Sequence, residues 1–186
     1  MMKAIEIFPW DDQFHIGLPE IDALNRRLVD LINRFTVHAA VGRDKVELDM
    51  IFDELLAHAD HHFKAEEAIW HGYLAGDAEL ERHLDGHGAF FATLFCLNAE
   101  LAIRSQTDCS EGALDYLVLW LVSHILEADR QAASIVLGLQ TGLSLEAAKM
   151  QAAEQKDTID HVVHAASVRE ALRTLRELAQ SQQVKS

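Results

Sequence analysis

Several residue types are scarce in this chain, and each scarcity excludes something. Only two prolines and nine glycines occur in 186 residues, so few positions can interrupt a helix and long helices are expected. The two cysteines, Cys96 and Cys109, stand outside any C-x-x-C pattern, which removes a thiolate zinc site and leaves a weak case for a disulfide. Lys and Arg number 16 against 30 Asp and Glu, for a net charge of −14. A nucleic-acid partner needs a clustered basic surface and is not expected here. The longest apolar runs, such as LDYLVLWLVSHIL, are broken by polar groups and too short to span a bilayer. No basic stretch followed by an apolar one opens the chain, and no β-type alternation of any length appears. The expectation is an all-α, cytoplasmic protein that does not enter a membrane.

What is present is a globular composition, 49% hydrophobic and 25% charged, with eleven histidines, more than packing alone suggests. Residues 1–18 carry aromatics, Pro9 and Gly17 without a sustained period and read as an ordered arm. A first helix is expected from about Pro19 to Ala40, with Ile21, Leu24, Leu28, Leu31, Ile32 and Phe35 as its apolar stripe. Asp44 and Glu47 have the spacing of a capping box and open a second helix that ends near Gly72. Asp77 can cap a third, through Leu101 or slightly beyond, and a fourth runs from about Glu111 to Leu139. Gly142 and Ser144 then give a stop and a restart into a fifth helical segment. Four amphipathic helices on short loops predict an up-down-up-down four-helix bundle, with an N-terminal arm and an extra C-terminal helix. The domains expected are residues 1–140 for the bundle and 141–186 for the extension.

The histidines fall at telling positions. His62 and Glu66 in the second helix, and His83 and His87 in the third, are each spaced i, i+4 and share a face. In the fourth helix, His124 and Asp129 are five apart, a step that leaves one face of a regular α-helix unless a local π-bulge helps both to point inward. Phe63, Leu84, Phe90, Phe91, Leu121 and Ile125 flank these positions and would wall them from water. Taken singly, each histidine is more readily an ordinary core or surface residue. Together, four imidazoles and two carboxylates on three helices suit iron, manganese or zinc. The two carboxylates suggest two metals, because a carboxylate bridges and an imidazole does not.

These motifs resemble the hemerythrin family, specifically the bacterial hemerythrin-like domains. The resemblance covers about residues 8–135 and rests on the arm FPWDDQFHIGLPEID, the HFxxEE stretch at 62–67, the HxxxH of the third helix and the HxxxxD of the fourth. It implies two non-haem iron ions with an oxo or hydroxo bridge. His83, His87 and His124 would hold one iron, Glu66 and Asp129 would bridge, and His62 would hold the second. The family supplies one more histidine from the first helix, in the phrase Ile-Asp-x-x-His. Here that phrase is IDALN, so Asn25 stands at the ligand position of the iron that takes up dioxygen in the family.

A carboxamide is a poor replacement for imidazole. Asn25 is read as holding a solvent ligand, the alternatives being weak ligation through its oxygen, replacement by His58 or His15, or a poorly occupied second iron. Trp70 stands where many relatives carry methionine and is read as lining the pocket or as a plain core tryptophan. Beyond the bundle, Ile159, Val162 and Ala166 form one apolar seam, and Val168, Leu172, Leu175 and Ala179 a second. They predict a helix that folds back on its bundle or pairs in a homodimer, while His161 and His164 read as surface residues. Family members fused to signalling enzymes, such as diguanylate cyclases, use such a helix as a connector. The leading expectation is a sensor of oxygen, redox state or a small ligand (O2, NO, azide, peroxide), not itself an enzyme, that signals through residues 144–186. The competing readings are an oxygen-storage protein and a diiron enzyme acting on peroxide or nitric oxide.

Overall fold

The computed structural model describes residues 10–41, 45–103 and 111–158, with a few positions between 170 and 181. Helix α1 spans Pro19–Val41, α2 Lys45–Leu74 and α3 Ala78–Ile103. The fourth rod is composite: α4 covers Glu111–Ser123, a π-helical segment covers His124–Asp129, and α5 continues from Arg130 to Gln140. Helix α6, Leu145–Thr158, then packs along α5. The first four rods form the expected up-down-up-down bundle. Asp44 of the anticipated capping box, Cys109, both apolar seams after residue 158, and His161 and His164 lie outside the described residues.

Each boundary has a local cause. Pro19 opens α1 where its missing N–H costs nothing, and Glu20 and Asp22 complement the helix dipole. Asp22 also accepts the Ile16 N–H at 2.7 Å, which ties the arm to the start of α1. The arm itself folds into a 3-10 turn, Asp12–Phe14, capped by Asp11, and buries Phe14 and Ile16. Arg130 donates to the Gln13 carbonyl, so the arm is fastened to the junction of the π segment and α5. Asp77 caps α3, accepting the Glu79 N–H at 2.9 Å.

Helix α5 ends in a Schellman turn. Gly142 has φ of 94°, its N–H bonds the Leu139 carbonyl at 3.0 Å, and the Leu143 N–H bonds the Gly138 carbonyl at 3.1 Å. Ser144 then caps α6 through the Ala147 N–H. The reversal lays α6 against α5 so closely that a Cβ on Gly138 would stand 3.0 Å from that of Ala148. Ser134 bonds Gln155 at 2.7 Å further along the same contact, and Lys149 pairs with the Asp77 carboxylate across to α3.

The core runs the length of the bundle, from Phe35 and Phe52 (ring centres 6.0 Å apart) through Leu28, Leu55 and Leu94 to Leu121 and Trp70. Asn25, His62, Glu66 and Asp129 lie within it, wholly buried. No helix among the described residues is long and apolar enough to cross a membrane.

Two outcomes are expected. Gly138→Val forces a branched side chain into the α5–α6 contact and destabilises by about 1–3 kcal/mol, as overpacking does, read as faster amide exchange in α6. The second concerns pH. The Lys149 hydrogen bond, then that of the Glu79 N–H, holds the Asp77 carboxyl below its ordinary value. A depressed carboxyl contributes stability above the unfolded value of about 4 and loses it as pH falls through the folded value. Protection of α6 therefore declines on the acid side of about pH 4, with a smaller step in Asp77→Asn.

Candidate metal centre

Three helical faces converge at mid-bundle. The i, i+4 spacing in α2 stacks His62 over Glu66, with His62 Nε2 2.8 Å from Glu66 Oε1. The same spacing in α3 presents His83 and His87 to the other carboxylate oxygen, their Nε2 atoms 3.4 and 3.1 Å from Glu66 Oε2. From the fourth rod, His124 Nε2 lies 3.8 Å from that same oxygen and 3.1 Å from Asp129 Oδ1. The π segment makes this last pairing. Its wider turn brings residues five apart into register, so His124 and Asp129 both face inward and are buried. The spacing that looked irregular for an α-helix is regular for the helix that forms.

Two donor groups result. Glu66, His83, His87 and His124 offer ligand atoms all within 4.8 Å of one another, and so do His62, Glu66 and Asp129. Glu66 belongs to both groups. Asp129 also approaches His83 Nε2 at 3.5 Å, so it too stands between the groups.

The electrostatics follow from burial. Desolvation works to raise the Glu66 carboxyl, but the His62 charge and hydrogen bonds from His124, His62 and His83 hold it well below the usual range. Asp129 goes the other way: burial, then the Glu66 charge, push it well above. Burial lowers His124 to about 4, so its imidazole is neutral at pH 7 with a lone pair free for a cation. Burial would also lower His62, but Glu66 and Asp129 outweigh it and raise that group.

Surrounding residues fix the imidazoles. Phe63 stacks on His87 with ring centres 3.8 Å apart, and Trp120 stacks on His124 at 4.3 Å. Trp70 is fully buried, and its indole N–H points at His83 Nε2 at 3.2 Å, so this tryptophan touches the cluster. Glu67 accepts from His87 Nδ1 at 2.9 Å, which turns Nε2 inward. Sequence reasoning missed Glu67, whose partner His87 lies on another helix, and Trp120, although Trp120 stands four residues before His124 on the same rod and that spacing could have pointed to it.

Asn25 faces Asp129. Its Nδ2 donates to Asp129 Oδ2 at 3.3 Å, while its Oδ1 is buried with no hydrogen-bond partner, as is His62 Nδ1. The two proposed substitutes stand elsewhere. His58 Nε2 is bonded to the Leu24 carbonyl at 3.0 Å, and half-exposed His15 pairs with Asp22 at 3.4 Å. Neither belongs to a donor group. The residues suit a cation: imidazole nitrogens, two carboxylates and orphaned buried polar atoms meet in one place, and a buried group without a partner is otherwise rare.

The Hemerythrin HHE cation binding domain family matches residues 17–135. This chain belongs to the hemerythrin family. Among its relatives, the bacteriohemerythrin of Clostridium acetobutylicum is 32% identical over 130 residues, 67% of this chain and 98% of the relative. That of Stenotrophomonas maltophilia is 28% identical over 129 residues, 68% of this chain and 80% of the relative. That of Pseudomonas aeruginosa is 26% identical over 122 residues, 64% and 75% respectively. The family match contains both donor groups and Asn25, and it stops within α5, before α6 begins.

Glu67 sits at the edge of this hemerythrin site, its side chain about one-third exposed. Glu67→Gln should leave the fold intact and weaken divalent-metal affinity about 10–100-fold, the usual effect of losing a carboxylate behind a histidine ligand. Competition against a chromogenic chelator measures it.

Proposed function

We propose that the chain is a cytoplasmic non-haem diiron domain that senses oxygen, redox state or a small ligand and passes the state of its site to its C-terminal helix. The observation that carries the diiron reading is the pair of donor groups that share Glu66, each compact enough for one cation. In this reading His83, His87 and His124 hold one iron and His62 the second, with Glu66 and Asp129 between them. Bound iron supplies a redox-active Lewis acid for ligands such as O2, NO, azide or peroxide.

The chain's own residues shape what that iron meets. Asn25 orients Asp129 through its Nδ2, and its free Oδ1 can accept a hydrogen bond from a solvent molecule held where relatives supply a histidine. The second iron therefore has one protein nitrogen fewer and more room for exogenous ligands. That favours detection over stable oxygen storage.

The sensing reading is supported by the packing of α6. Leu126, Glu127 and Arg130, in or next to the π segment, share a small cleft with Ala152 and Gln155 of α6. A π segment that reverted to α would point His124 and Asp129 about 140° apart, so site geometry and the register of α5 are linked. Helix α6 rides on α5. In this reading residues 1–140 form the sensing bundle and 141–186 the output element, which joins a second copy or a fused signalling domain.

The test is iron content and visible spectrum, oxidised and reduced, for the wild type and Asn25→His. The wild type should hold about two irons per chain, as dinuclear bundle sites do. Asn25→His should bind azide more weakly and autoxidise more slowly. Near-zero iron after anaerobic loading would end the diiron reading. Amide exchange in α6 that is identical in both redox states would end the sensing one.

A further inference from the structure

A polar groove of about 290 Å³ opens between α3 and the π segment, with His83 and His124 on its wall. These two are 6% and 5% exposed, whereas His62, Glu66 and Asp129 are at 0%. The groove is thus a point where solvent touches the cluster. At roughly 30 Å³ per water, its volume exceeds the roughly 180 Å³ of a hexahydrated ion.

Its charge and shape suit a cation. Arg82 is paired with Glu79, whereas no cation among the described residues pairs with exposed Glu127, which also lines the groove. Gly86 lines it too. A glycine inside a helix is destabilising unless something requires it. At Gly138 the requirement is the close approach of Ala148, but a Cβ on Gly86 would meet nothing within 4 Å. What the missing side chain does at Gly86 is leave the space before His83 and His124 open.

We propose that this groove is the route by which the divalent metal ion reaches the centre, an inference that rests on the metal-binding reading above. Glu127 draws the hydrated ion in, His83 and His124 are the first nitrogens to replace its water, and the fully buried His62 group fills from within.

The test is the rate at which metal-free protein takes up Co2+, followed by its visible absorption, in the wild type, Gly86→Leu, Glu127→Gln and Ser123→Phe, the last narrowing the groove from the opposite wall. Leucine is a better helix former than glycine, so Gly86→Leu should fold. Gly86→Leu and Ser123→Phe should load about tenfold more slowly or worse, to the same final stoichiometry. Glu127→Gln should load about two- to threefold more slowly at low salt, with a flatter salt dependence. Unchanged rates in both blocking variants overturn the route while leaving the metal site standing. Slower azide binding to the loaded protein with unchanged Co2+ uptake makes the groove a ligand port instead, and also overturns it. A wild type that takes up no Co2+ removes the metal site and the route together.

Discussion

One carboxylate organises the middle of this protein. Glu66 is ionised and wholly removed from water, and an isolated buried charge is among the most costly groups a fold can contain. It is tolerable because four imidazoles from three rods converge on its two oxygens, and because burial and the Glu66 charge push the neighbouring Asp129 carboxyl well above its ordinary range. Remove the convergence and the charge becomes untenable; remove the charge and four buried imidazoles lose their common partner. The three rods are therefore held in register by a polar requirement as well as by their apolar stripes. Phe63 and Trp120, stacked on two of the imidazoles, exclude water from the site except at the groove between α3 and the π segment.

Much of this was legible in the sequence, and the reason is periodicity. An i, i+4 pair constrains geometry within one helix, so His62 with Glu66 and His83 with His87 could be read directly. The five-residue step between His124 and Asp129 raised the question of a π-bulge, and a π segment spans those residues. Caps were equally readable, because Asp77, Gly142 and Ser144 act on backbone groups close by in sequence. The fourth helix, expected from about Glu111 to Leu139 with a candidate π-bulge at His124–Asp129, is an α–π–α rod over Glu111–Gln140.

Contacts between helices were not legible, for a physical reason. Which way Asn25 turns, that Glu67 backs His87, and that the Leu24 carbonyl takes His58 all depend on the rotation of one rod against another. A sequence gives the face of a residue but not the neighbour across the gap. Asn25 could be seen as the departure from the hemerythrin pattern. Its partner, the carboxylate between the two donor groups, could not.

The Schellman turn after α5 also decides where the chain goes next. Because it folds α6 straight back, the polypeptide leaves Gln140 at the tip of the bundle and returns within 14 residues to the latitude of the π segment. The last turns of α6 therefore lie beside the waist of the bundle and not at its end. Only α5, a single helix of about 10 Å diameter, stands between α6 and the interior of the bundle.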